Sequence, residues 1–166
     1  METKLNFDSF GLLTPTEAIP SDMAAVKINF VDAFPKSKTR LKLYENLVAF
    51  NEILQKVVFP WYEMWIDGSF VTKKQNPKDV DVVTFLDADV YKLREKQLEE
   101  ILGYCFERLR IDAYFVQVFP ENHQSYPTTH LNRSDWFTFF TTTISGNRKR
   151  FLKLIFENKI ETNERI

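Results

Sequence analysis

WIDGSFVTKKQNPKDVDVVTFLD, residues 65–87, decides how this chain is read. Val80–Leu86 is β-branched and apolar, bounded by Pro77 on one side and by Asp87-Ala88-Asp89 on the other, and this predicts a strand. Two aspartates, Asp79 and Asp81, stand at its start. Side chains at i and i+2 of a strand share a face, so both carboxylates point one way while Val80 and Val82 point into the core. Burying a carboxylate without a partner costs several kcal/mol of hydration. Either both acids are solvated at a strand end, where they merely cap a turn, or something compensates their charge.

Two carboxylates this close repel, which raises the pKa of one of them. A hard divalent cation, Mg²⁺ or Mn²⁺, relieves the repulsion and keeps its other coordination positions for water and phosphate. A third acid, Asp112, interrupts another apolar stretch, LRIDAYFVQVF, one helix further on. If the two strands are neighbours, Asp112 completes a three-carboxylate cluster able to hold two ions about 3.5–4 Å apart. Upstream, Gly68-Ser69 forms a small turn whose N–H groups and hydroxyl can hold phosphate oxygens. Lys73 and Lys74 follow on the loop that leads to Asp79, where phosphate contact and simple solvation are both open.

Working outward, residues 1–60 read as an N-terminal helical part. Thr14-Pro15-Thr16-Glu17 has the form of a capping box that Pro20 cuts short, and helices are expected over Ser21–Phe34 and from Ser37 to about Lys56. Residues 61–119 hold the candidate catalytic strands. Glu63–Asp67 reads as a short strand, Asp89 as the cap of a helix with Leu98, Ile101, Leu102, Cys105, Phe106 and Leu109 on one face, and Arg110–Phe119 as a second strand. Residues 120–135 read as a polar loop. WFTFFTTTI reads as a strand and RKRFLKLIF as its hairpin partner, with a short helix the alternative for the latter. Residues 120–166 thus form a loop and a C-terminal hairpin, with a charged, frayed end.

At 166 residues, 44% of them hydrophobic, the chain has material for one domain with one core. Formal net charge is -1, so no global field draws the protein to nucleic acid or anionic membrane, and any such binding needs a local patch. The single Cys105 cannot form an internal disulfide, and it has no zinc-ligand spacing with His123 or His130. No basic leader opens the sequence, and no apolar run approaches the roughly 20 residues of a membrane helix. The expectation is a soluble cytoplasmic protein.

Gly68-Ser69, then Asp79-Val80-Asp81, then Ile111-Asp112-Ala113 resembles the motif of the polymerase-β-like nucleotidyltransferase superfamily. More narrowly, FDSFGLLTPTE, FVDAFPKSKTR, the stretch from Trp65 to Val83, DWFTFF and GNRKRFLKL resemble a small bacterial group, the DUF6932 type. The resemblance implies an α/β (α+β) nucleotidyltransferase fold, a short mixed β-sheet flanked by helices. It implies Asp79, Asp81 and Asp112 as ligands of Mg²⁺ or Mn²⁺, and Gly68 and Ser69 on the phosphates of a nucleoside triphosphate. Asp112 would serve as the base, and the acceptor would be an RNA, a protein or a small molecule. The closing turn departs from that group, which commonly reads Lys-Gly where this chain has Lys149-Arg150. With no template-gripping domain in view, a processive polymerase is disfavoured. The alternative from another class is a nucleotide- or partner-binding module, such as one component of a toxin–antitoxin or phage-defence pair.

Other residues take plainer readings. Asp67 beside the glycine reads as structural, Arg148 to Arg150 as a solvated basic run, and Trp61, Trp65 and Trp136 as core. His123 and His130 lie in the polar loop, where a role as an acceptor-side acid or base stands beside the commoner reading of no catalytic part, and Cys105 reads as a buried, inert thiol.

Overall fold

In the computed structural model, which describes residues 5–14, 18–58 and 60–157, the chain opens with a short strand, β1 (Ala18–Pro20). Helix α1 (Met23–Lys27) follows and widens into a π-helical turn over Ile28–Asp32. Then come α2 (Arg40–Val57), β2 (Trp61–Asp67), β3 (Val80–Asp87) and α3 (Ala88–Tyr104). A second π turn, Cys105–Leu109, precedes β4 (Ile111–Val118), α4 (Tyr126–Thr141) and β5 (Phe151–Glu157). The strands form one mixed sheet in the order β1-β5-β2-β3-β4. β2 runs antiparallel to both β3 and β5, while β3–β4 and β1–β5 are parallel. This is a single α+β domain.

The two faces of the sheet differ in what they bury. On one, Tyr62, Met64, Ile66, Val80, Val82, Leu86 and Ile111 pack against Leu43, Leu47, Phe50 and Leu54 of α2 and Leu98 and Ile101 of α3. On the other, Trp65, Val83, Phe85, Val116 and Phe151 form a smaller aromatic layer under Phe140 and Trp136 of α4. Burial on both sides explains why β3 reads as a nearly continuous apolar run, as expected of a central strand. Asp67, Asp81 and Asp112 lie on the α4 face.

The structure corrects several expectations. Residues 126–141 form a helix, where a polar loop and the strand WFTFFTTTI were expected. Thr and Phe carry strand propensity, and aromatics spread round the helix blur its period. The start signal was Pro127 in the first helical turn, and Thr141 ends the helix by bonding back to the Phe137 carbonyl at 2.7 Å. β5 is a strand, but its partners are β2 and β1 rather than a hairpin neighbour; a single bridge, Thr142 to Arg148, closes the turn before it.

The cap of α3 is Asp87, whose carboxylate accepts from the amides of Asp89 and Val90, so Asp89 is not the cap. Phe106, assigned by its spacing to the buried face, is exposed. Cys105 is buried, and burial pushes its thiol up to about 12, in keeping with an inert side chain. The expected capping box, Thr14 to Glu17, depends on residues 15–17, which with the frayed end, 158–166, lie outside the described residues. Among the described residues no helix is long and apolar enough to cross a membrane.

Candidate active site

β2 delivers Asp67 and then breaks at Gly68, whose φ of 78° lies in the region that favours glycine. A Cβ placed there would sit 1.7 Å from Oδ2 of Asp81, so only glycine lets the turn lie against that carboxylate. A single 3-10 turn, Ser69–Val71, carries the chain away. The loop is braced from inside the fold by Arg40. Its guanidinium is fully buried and donates to the carbonyls of Phe30, Phe70, Thr72 and Lys74 at 2.6–2.9 Å. It also stacks 3.9 Å from the Phe34 ring. Burial lowers its pKa to about 10, so it remains a cation at neutral pH.

Strand register brings the acids together. Asp67 lies opposite Asp81 in the β2–β3 ladder, and Asp81 opposite Asp112 in the β3–β4 ladder. Three carboxylates therefore form one row across three adjacent strands, and Asp79 stands two residues before Asp81 at the mouth of β3. Burial raises the Asp81 carboxyl, the charges of Asp79 and Asp112 raise it further, and the Lys149 ammonium opposes them. Burial likewise pushes Asp67 up to about 6, against the pull of Lys149, with which it forms a buried ion pair. Oδ1 of Asp67 is buried and has no hydrogen-bond partner. The Tyr114 hydroxyl donates to Oδ2 of Asp112 at 3.2 Å.

The row opens into two clefts. One, of about 280 Å³, is lined by Gly68, Ser69, Thr72, Asp81 and Lys149, with Phe139 and Ile144 among its apolar wall. The other, of about 380 Å³, is lined by Asp79 and Asp112 together with Lys78, Arg110 and Phe106. Asp79, Asp81 and Asp112 supply the hard oxygen donors that Mg²⁺ or Mn²⁺ takes, and their repulsion is what such an ion would relieve. Among the described residues, no three acids, histidines or cysteines are gathered as a metal-holding group.

Gly68, Ser69, Asp79, Asp81 and Asp112 thus meet at one end of the sheet. Lys73 and Lys74 do not join them: both are exposed and border neither cleft, and the Lys73 ammonium lies 5.3 Å from the Phe7 ring. The cation beside Asp67 and Asp81 is Lys149, which the sequence offered only within a basic run. Asp67, read as structural, is Lys149's counter-ion. His123 accepts from the Ser125 amide at 3.0 Å and stacks on Phe119, and His130 packs edge-on to Tyr126. Trp65 is core, as expected.

Fold and site together define an α+β domain that displays a row of strand carboxylates beside a glycine-serine turn. The chain belongs to the DUF6932 family, described as a family of unknown function, whose model matches residues 5–155. No curated protein and no solved structure matches it.

Proposed function

We propose that this protein is a metal-dependent nucleotidyltransferase of the polymerase-β-like kind, acting in the cytoplasm. It moves a nucleoside monophosphate from a nucleoside triphosphate to an acceptor hydroxyl. The observation that carries this reading is the register of Asp81 with Asp112, with the Gly68–Ser69 turn seated against the Asp81 carboxylate.

In this reading the Gly68–Ser69 turn receives phosphate oxygens through its N–H groups and the Ser69 hydroxyl. Asp79, Asp81 and Asp112 would hold Mg²⁺ or Mn²⁺, which supplies charge neutralisation at the phosphates and lowers the pKa of a bound hydroxyl. Tyr114 occupies one oxygen of Asp112 and so orients the carboxylate, leaving the other to take the acceptor's proton. The acceptor oxygen bonds to the α-phosphorus, the α–β phosphoanhydride bond breaks, and pyrophosphate leaves. Asp67 and Lys149 are themselves little exposed, so their ion pair is only weakly screened by water.

A second reading is a nucleotide- or partner-binding module, such as half of a toxin–antitoxin or phage-defence pair. The test is transfer of α-phosphorus label from each ribonucleotide, with Mg²⁺ or Mn²⁺, into cellular RNA and protein. Asp79→Ala and Asp81→Ala should each lower incorporation at least about 100-fold. Equal labelling by wild type and either variant would sink the transferase reading. A tightly co-purifying protein partner, retained by Asp79→Ala in the absence of any label transfer, would favour the module.

A further inference from the structure

Lys38, Lys42, Lys78 and Arg110 line one cleft of about 390 Å³, and no acidic side chain lines it. Lys42 has only a loose, exposed contact with Glu45, at 3.8 Å. In a chain of net charge -1, this is a local concentration of positive charge rather than part of a general field. The cleft sits at the first turn of α2, where the Arg40 amide donates to the Ser37 hydroxyl oxygen at 3.2 Å and the helix dipole adds partial positive charge. The N-cap there, Thr39, makes no side-chain cap hydrogen bond, and its hydroxyl oxygen is buried without a partner.

Lys78 and Arg110 also line the neighbouring cleft that holds Asp79 and Asp112, so the two clefts run into one another. The cleft that holds Asp79 and Asp112 also carries an aromatic, Phe106, next to Glu107. Phe106 lies in the π turn Cys105–Leu109, and the widened turn presents its ring to solvent at 72% exposure while Cys105 and Leu109 stay buried. Arg110 closes that turn in the left-handed region, φ 55°, an uncommon conformation for a side chain of its size. An exposed aromatic beside a line of cations is the pairing that binds single strands, phosphates on the cations and a base on the ring. The Gly68–Ser69 turn and Lys149 open into the other cleft, so triphosphate and acceptor have separate approaches to the acid row.

We propose that the groove formed by Lys38, Lys42, Lys78, Arg110 and Phe106 binds single-stranded nucleic acid and presents its terminal hydroxyl to Asp112. The acceptor role rests on the transferase reading; the binding surface does not.

The test is fluorescence anisotropy of a short, end-labelled, mixed-sequence RNA with the full chain across a series of potassium chloride concentrations. Lys38→Glu with Lys42→Glu should weaken binding at least about tenfold and reduce the slope of log affinity against log salt by about one per lysine. Phe106→Ala should weaken binding about tenfold and leave that slope unchanged. All three side chains are exposed, so melting temperatures should match wild type, and the salt slope separates lost contacts from lost fold. Wild type that binds no RNA, variants that bind as wild type does, or displacement by polyglutamate as effective as by unlabelled RNA would each overturn the groove. Groove-dependent binding with no label transfer from any nucleotide would keep the surface and remove the transferase reading. Label passed to RNA equally by wild type and the groove variants would overturn the groove alone.

Discussion

β2 buries two carboxylates on the same face of the sheet, four residues apart, and treats them in opposite ways. Glu63 receives a hydrogen bond from the Trp65 indole at 2.6 Å, an ion pair from Arg133 at 2.8 Å and another from Lys153 at 3.2 Å. Arg133 reaches down from α4 across the Phe85 ring, so this cluster fastens the helix to the sheet. Asp67 has one cation, Lys149, an oxygen with no hydrogen-bond partner, and Asp81 directly opposite it, itself crowded by Asp79 and Asp112. Burial alone therefore does not mark a functional acid. What separates the two is the balance of partners: more cations than acids around Glu63, more acids than cations around Asp81. A stability-driven sheet resembles the first cluster, and the second resembles a site awaiting positive charge.

The largest expected effect breaks the satisfied cluster. Glu63→Ala leaves Arg133 and Lys153 partly buried without their acceptor, at a cost of about 3 kcal/mol, which denaturant unfolding should show as a lowered midpoint. Next is a pH effect at Asp67. Its carboxyl is raised by burial to about 6, above the ordinary value of about 4, so the folded state binds this proton more tightly than the unfolded chain does. Its contribution therefore disfavours folding above pH 6 and is relieved as pH falls from about 6 to about 4. Unfolding free energy measured across that window should contain this slope, and Asp67→Asn should flatten it. The smallest effect sharpens the contrast. Asp81→Asn removes a charge repelled by Asp79 and Asp112, and should raise the melting temperature by about 2–4 °C, about 1 kcal/mol in a chain of this size, while transfer is lost. A residue whose removal stabilises the fold but ends activity is held for function.

Much of this was legible in the sequence because the signals were local. β3 announced itself by composition, Gly68 and Asp81 by their spacing, and α2 and α3 by helical period. The Asp81–Asp112 pairing followed once two strands were joined by one helix. What stayed hidden depends on contacts between distant segments. Lys149 joins the candidate site only because β5 runs beside β2, 82 positions away from Asp67 along the chain. α4 was obscured by local chemistry, since Thr and Phe favour strands until the aromatic layer beneath selects a helix. Phe106 was misassigned because a π turn breaks the period on which its placement was based.

Arg40 carries a consequence of a different kind. Three of its four carbonyl contacts hold residues 70–74 in one shape before any ligand arrives, and the fourth ties that loop to Phe30. A flexible loop of that length would surrender conformational entropy each time it closed on a phosphate, about 1–2 kcal/mol for every residue ordered. Here that entropy is surrendered once, during folding, so any ligand that meets residues 70–74 meets a preorganised loop.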